Sequence, residues 1–148
     1  MYKSFREMSD EERRRAEEEL YMIAESARDK AYCPYSGISV GAALLTSTGR
    51  VYTGCNIENS AYSPSVCAER VALFKAVSEG DNSPVAIAVA GGKRRESASS
   101  PFPPCGVCRQ VMTEFGSSDL RIILKEGDGV KSYTLSELLP HSFGKDNL

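Results

Sequence analysis

The amino-acid sequence predicts an α/β fold, a three-layer domain with one mixed β-sheet. Two observations support this prediction. Patterns typical of helices and of strands alternate along the chain, and residues 83–92, SPVAIAVAGG, form an almost continuous apolar run, as expected of a strand buried on both faces. With 148 residues, the chain has the length of a single domain, predicted to span 1–148, and can bury a core without disulfide bonds.

The first predicted helix begins at a capping box formed by Ser9 and Glu12. Apolar residues then recur with helical spacing at Ala16, Leu20, Ile23 and Ala27. This pattern predicts an amphipathic helix of about five turns that ends before Pro34.

A β-hairpin is predicted next, with strands at 39–46 and 50–58 around Ser-Thr-Gly. Gly41 and Gly54 lie inside these strands, which indicates bulges or a close approach of another backbone.

The remaining elements follow from proline and glycine positions and from apolar periodicity. They are a helix at 65–80, the buried strand at 83–92, a polar loop with a small basic cluster at 93–104, a helix at 105–115, two strands within 121–135 and a short helix within 134–140.

Composition narrows the classes of function. The chain is 41% hydrophobic with a net charge of −2, so it lacks the basic excess of a nucleic-acid-binding protein. We find no apolar run of transmembrane length and no signal-peptide pattern, and we expect a cytoplasmic protein that binds neither membrane nor nucleic acid. Five cysteines in that compartment indicate metal binding, chemistry or core packing rather than disulfides.

Three of these cysteines suggest a metal site. Cys105 and Cys108 form a C-x-x-C motif at a helix start and share one helix face, a pattern that alone fits zinc or a redox dithiol. Cys67 adds a third thiol at the start of another helix, and two helix N-termini favour thiolates. Three sulfur ligands leave one position open, as in catalytic zinc sites.

Glu69 lies two residues after Cys67, where a carboxylate can carry a proton beside a metal-activated water. Cys-Ala-Glu followed later by Pro-Cys-x-x-Cys is the pattern of zinc deaminases. We expect the guanidinium of Arg70 to offset thiolate charge by donating to sulfur; the alternative is an exposed arginine that pairs along the helix.

The sequence resembles the small homotetrameric cytidine deaminases over nearly its whole length. The matching runs include VGAALLT, GCNIEN, CAER, KAVSEG and PCGVCRQVM. This resemblance implies the cytidine-deaminase fold, a three-layer α/β/α arrangement with a five-stranded mixed sheet. It also implies a zinc-dependent hydrolase of pyrimidine salvage that converts cytidine and 2′-deoxycytidine to the uridines, in which zinc-bound hydroxide attacks C4. One zinc ion per subunit and a homotetramer with shared active sites are implied as well.

The resemblance also implies a role for each matching residue. The zinc ligands are Cys67, Cys105 and Cys108, and Glu69 shuttles the proton. Asn56 and Glu58 bind the ribose hydroxyls, the Ala68 backbone holds the pyrimidine edge, and Phe143 covers a base bound in a neighbouring subunit.

The sugar-binding role and the base-stacking role can be compared with the residues present in this sequence. Asn56 and Glu58 are two apart on a predicted strand and therefore share a face, although a pair at a turn edge is the alternative. Ile38 stands where the family carries an aromatic residue, so we expect weaker stacking on the nucleoside there.

Other functions remain open. A deaminase of aminonucleoside antibiotics such as blasticidin S would share the chemistry, but the ribose pair argues against it. A thiol–disulfide oxidoreductase would leave Cys67 and Glu69 without a purpose. A structural zinc module closed by His141 would not be an enzyme. We expect Cys33 and Cys55, which lie outside the metal pattern, to be small buried residues.

Overall fold

The computed structural model describes residues 4–148, so residues 1–3 of the predicted domain lie outside the described part. Its helices and strands, in chain order, are α1 (Asp10–Ala27), β1 (Ile38–Thr46), β2 (Val51–Cys55), α2 (Ala68–Ser78), β3 (Pro84–Lys93), α3 (Gly106–Phe115), β4 (Arg121–Glu126), β5 (Gly129–Thr134) and α4 (Leu135–Leu138). Two short 3₁₀ turns, Arg28–Lys30 and Lys145–Asn147, were not predicted.

The five strands form one sheet in the order β2-β1-β3-β4-β5. Strands β3 and β4 are parallel, and the other neighbours are antiparallel. The predicted five-stranded mixed sheet is therefore confirmed. None of the helices among the described residues is both long and apolar enough to cross a lipid bilayer.

Successive residues of β1 point to opposite faces of the sheet, and both faces are buried. Ala42 and Leu44 belong to a core that includes residues of α2 and α3. Ala43 and Leu45 belong to a second core on the α1 side. The sheet is thus the middle of three layers, as predicted.

Two glycines bring helices directly onto the sheet. A Cβ atom at Gly41 would clash with the Ala24 carbonyl oxygen of α1, and one at Gly54 with the Ala68 carbonyl oxygen of α2. The predicted close approach is confirmed at both positions. At Gly54 it sets the height of the α2 N-terminus above the sheet.

The hairpin departs from the prediction at one end, because β2 stops at Cys55 instead of continuing to residue 58. The side chain of Asn56 binds the edge of β1 there: its Oδ1 accepts from the Val40 amide at 2.8 Å, and its Nδ2 donates to the Ile38 carbonyl at 2.9 Å. Beyond this point only Ile57 makes isolated bridges, to Tyr32 and Val66. The chain therefore leaves the sheet before Glu58.

Candidate metal centre and active site

The two helices predicted to carry the thiols begin next to each other. Cys67 is the N-cap of α2, Cys105 is the N-cap of α3, and Cys108 lies in the first turn of α3. Neither N-cap side chain makes a capping hydrogen bond to the amides of its own helix, so both sulfurs remain available to a ligand. The three Sγ atoms all lie within 4.8 Å of one another.

The spacing of these sulfurs suits zinc. With Zn–S bonds of about 2.3 Å and tetrahedral angles, two sulfur ligands of one zinc ion are about 3.8 Å apart. The Sγ atoms of Cys67 and Cys105 are 3.7 Å apart. Three soft donors that converge in this way fit a zinc ion with a fourth position left for another ligand.

Hydrogen bonding favours a thiolate in this cluster. Donation by Cys108, aided by Arg70, lowers the pKa of Cys67 to about 5 even though burial opposes this shift. The same contact with Cys67, together with burial, raises the pKa of Cys108. The cluster therefore releases its first proton readily, as a metal site requires.

Glu69 is the buried carboxyl group beside the thiols. It lies in the first turn of α2 and is only 4% exposed. Burial raises its pKa to about 7. A carboxyl group that gains and loses a proton near neutral pH has the property required of a general acid–base.

A cleft of about 270 Å³ joins these groups to the predicted substrate residues. It is lined by Ser36, Ile38, Val40, Asn56, Glu58, Ser65, Val66, Cys67, Glu69, Phe102, Pro103 and Cys105. Three larger hollows, of about 320, 440 and 680 Å³, contain none of the three clustered cysteines. Among these four cavities of residues 4–148, only the smallest is lined both by clustered thiols, Cys67 and Cys105, and by the buried acid–base group, so it is the candidate active site.

The comparisons with known proteins agree with this geometry. The family model for the cytidine and deoxycytidylate deaminase zinc-binding region matches residues 14–124. The chain belongs to the cytidine deaminase family. Being a member, it is an enzyme with a zinc-binding deaminase domain, and the resemblance found in the sequence is confirmed.

Individual cytidine deaminases match over most of their length. The protein from Sporosarcina psychrophila is 48% identical over 130 residues, which cover 86% of this chain and 92% of the relative. The relative from Halalkalibacterium halodurans is also 48% identical over 130 residues, with 87% and 95% covered. A crystal structure of cytidine deaminase from Burkholderia pseudomallei superposes with a TM-score of 0.76 at 41% identity and covers 92% of this chain and 100% of that one.

The residues predicted to bind the sugar lie together in this deaminase, but not on a strand. Asn56 and Glu58 both line the cleft from the segment after β2. The Ser36 side chain and the Tyr35 and Ser36 amides hydrogen-bond to Glu58 and lower its pKa. This loop therefore presents an anionic acceptor at the cleft, although the predicted shared strand face was wrong.

Phe143 and Ala68 are not among the residues that line the cleft of this deaminase. Phe143 follows α4, is 60% exposed, and is not among the residues that line the cleft of its own chain. Its carbonyl oxygen accepts a hydrogen bond of 2.9 Å from Gln110. Ala68 is fully buried as the first residue of α2, where amide groups have no partner within the helix.

Three further residues, His141, Cys33 and Cys55, can be compared with their predicted roles. Within residues 4–148, His141 is not part of the thiol cluster, so the structure offers no fourth protein ligand from it. Cys33 is buried, as predicted. Cys55 is half-buried, so that prediction holds only in part.

Six residues that line the cleft were not predicted from the sequence: Ser36, Val40, Ser65, Val66, Phe102 and Pro103. Ser65 and Val66 come directly before Cys67, and Phe102 and Pro103 come shortly before Cys105. Ser36 and Val40 each lie two residues from Ile38. Adjacency in the sequence to a predicted site residue was the signal that could have identified all six.

Proposed function

We propose that this enzyme hydrolyses cytidine and 2′-deoxycytidine to uridine and 2′-deoxyuridine in pyrimidine salvage. Water adds at C4 of the base, and the exocyclic amino group leaves as ammonia. The observation that carries this proposal is the combination, in one cleft, of converging thiols, a buried carboxyl group and a polar pair for the sugar. The reaction belongs to a single domain spanning 1–148.

Cys67, Cys105 and Cys108 are proposed to hold one zinc ion per chain. When bound, zinc acts as a Lewis acid that makes water a nucleophile at neutral pH. Arg70 supports the ligand set, because its Nη2 lies 3.6 Å from the Cys67 sulfur and can offset thiolate charge.

Glu69 is proposed to move the proton. Its carboxylate takes one proton from the attacking water and delivers it to the ring N3; it then takes the remaining proton of the added hydroxyl group and delivers it to the leaving amino group. The raised pKa of about 7 makes this carboxylate basic enough for the first step and its acid form available for the second. The amide of Ala68, at the open N-terminus of α2, holds the pyrimidine edge in this arrangement.

Asn56 and Glu58 are proposed to select a nucleoside by its sugar hydroxyls. Within residues 4–148, the residues that line the cleft include no lysine, arginine or histidine, and Glu58 carries negative charge. A 5′-phosphate would meet no cation there and would be repelled. We therefore expect the uncharged nucleoside to be preferred over its monophosphate.

The proposal also covers the assembly of subunits and the cellular location. Phe143 covers a base bound by a neighbouring subunit, in a homotetramer with shared sites. The weaker stacking expected at Ile38 makes that cover more important. The cytoplasmic location stays a prediction.

The test is the loss of cytidine absorbance with purified protein loaded with zinc. We expect turnover of cytidine and 2′-deoxycytidine, much slower turnover of cytidine monophosphate and of free cytosine, and loss of the preference over cytosine in Glu58→Ala. Faster turnover of blasticidin S than of cytidine would replace this proposal by the antibiotic deaminase. Bound zinc without deamination of either would favour the structural zinc module.

A further inference from the structure

We propose that Phe102 is the aromatic wall of the substrate cleft and takes the place of the ring that Ile38 does not provide. The proposal rests on the nucleoside deaminase function proposed above. Both residues line the same cleft as Cys67 and Glu69. Phe102 is a specificity-determining residue that sets how tightly the flat pyrimidine base is held.

The position of the ring follows from the register of the sheet. Val40 of β1 is paired with Gly91 of β3, and paired residues point to the same face. Ile38 is two residues from Val40 on β1 and therefore shares that face. A Cβ atom at Gly91 would lie 2.5 Å from Cγ of Phe102, so the ring occupies the space that a side chain at residue 91 would fill.

This placement puts the ring next to the position of the missing aromatic. Ile38 and Phe102 are both partly buried against the core on the α2 and α3 side of the sheet. An aliphatic Ile38 cannot stack on a base, whereas the Phe102 ring offers the flat apolar surface that stacking requires. Phe102 therefore supplies the aromatic ring that the side chain at residue 38 lacks.

The chain around Phe102 holds the ring in position before substrate binds. Proline follows directly at residue 103, which restricts the Phe102 backbone to extended conformations. Phe102 is also three residues before Cys105, and the Pro104 carbonyl between them accepts a 2.7 Å hydrogen bond from Nε of Arg109. A wall attached so closely to a thiol of the cluster is preorganised relative to the reacting base.

The experiment compares steady-state kinetics on cytidine for wild type, Phe102→Leu, Phe102→Tyr, Ile38→Phe and the double variant Phe102→Leu/Ile38→Phe. We expect Phe102→Leu to raise KM about fivefold with a smaller change in kcat, because ring stacking is lost. Phe102→Tyr keeps the ring and should keep KM. Ile38→Phe should restore a low KM in the Phe102→Leu background, since it returns a ring to the cleft.

Phe115→Leu is the matched control, because Phe115 packs against the same core but does not line the cleft. It should lower the melting temperature and leave KM unchanged. Zinc content and melting temperature of each variant show whether a KM change comes from lost packing. If Phe102→Leu is destabilised, the KM values of the double variant and of Phe102→Tyr still show whether an aromatic ring in the cleft is required for tight binding.

An active wild type with an unchanged KM in Phe102→Leu, or a raised KM that Ile38→Phe does not relieve, would overturn the role of Phe102 alone. A wild type inactive on cytidine would instead overturn the proposed function. The two failures are therefore distinguishable.

Discussion

The guanidinium of Arg70 donates from Nη2 to the Sγ of Cys67 at a distance of 3.6 Å. The two residues are one helical turn apart at the start of α2, and the Nε of the same guanidinium is buried without a hydrogen-bond partner in the described part of the chain. Three thiolates around a zinc dication carry a net charge of about −1. A partly buried cation in contact with one sulfur would offset that charge and keep a bound zinc ion an effective Lewis acid.

Arg70→Gln should therefore weaken zinc binding by about tenfold to a hundredfold, the usual effect of losing a residue that supports a metal ligand. Competition with a coloured chelator measures this affinity. Arg50→Gln is the matched control, because Arg50 is exposed and pairs with Glu79 away from the thiols. Equal zinc affinity in Arg70→Gln and wild type would contradict the assigned role.

Zinc content should be near one ion per chain and should depend on the three clustered cysteines. Alanine at Cys67, Cys105 or Cys108 removes a ligand and should sharply lower bound zinc, as measured by elemental analysis. Cys33→Ala is the control for loss of a buried thiol outside the cluster and should keep its zinc. Full zinc retention in Cys67→Ala would rule out the proposed ligand set.

Glu69→Gln should keep the fold and the zinc but lose about 10² to 10⁴ in kcat, because a carboxamide cannot accept and return the proton. The substitution is nearly isosteric, so it separates proton transfer from packing. Glu79→Gln, at the opposite end of α2, should retain activity. Near-normal turnover by Glu69→Gln would place the acid–base group elsewhere.

Local signals in the sequence predicted two features of the molecule, the start of α1 and the thiol cluster. The capping box at Ser9 and Glu12 marks the start of α1 to within one residue, and both of its hydrogen bonds are present. The zinc motif was recognisable because its chemistry requires particular residue types at particular spacings. Such signals do not depend on how distant segments pack.

The end of β2 and the position of Phe102 depend on contacts with distant segments and could not be predicted from the sequence. Asn56 ends β2 because its side chain bonds to backbone groups of β1, which no pattern within β2 reveals. Phe102 enters the cleft because Gly91 on another element leaves room for its ring. Both placements are tertiary contacts that override local propensity.

Asp81 provides a test of stability against pH away from the metal centre. Burial alone would raise its pKa, but hydroxyl donors more than offset that effect and the pKa is lowered. The donors to its carboxylate are Thr46 at 2.7 Å, Thr48 at 2.8 Å, Ser83 at 3.2 Å and Tyr52 at 3.3 Å. A lowered folded-state pKa means stability that is present above the unfolded pKa of about 3.9 and lost as pH falls through the folded value.

Asp81→Asn should accordingly be less stable than wild type at neutral pH, and the difference should shrink as the pH falls below about 4. Denaturant midpoints measured across this range give the comparison. Asp128→Asn, in the exposed turn between β4 and β5, should differ little from wild type at any pH. A constant gap between Asp81→Asn and wild type down to acidic pH would show that the carboxylate charge does not stabilise this site.

Phe143 provides the test of shared active sites. Its side chain is 60% exposed and does not line the cleft of its own chain, and it lies beyond the region matched by the family model. This exposed ring, on a residue whose backbone carbonyl accepts a hydrogen bond from Gln110, is accessible to a base bound in another subunit. Phe143→Ala should raise KM about fivefold or more, since stacking on a base contributes about 1 to 3 kcal/mol, while zinc stays bound.

Tetramers assembled from two different variants test whether Phe143 of one subunit stacks on a base bound in another. Chains carrying Glu69→Gln supply an intact Phe143, and chains carrying Phe143→Ala supply an intact Glu69, so a shared site can combine both. Refolded mixtures should form tetramers by sedimentation and recover sites with the wild-type KM. Replacing the first chain by the double variant Glu69→Gln/Phe143→Ala removes the donated ring and should abolish recovery. A fully active monomer, or no recovery in tetramers shown to be mixed, would mean that each chain completes its own site.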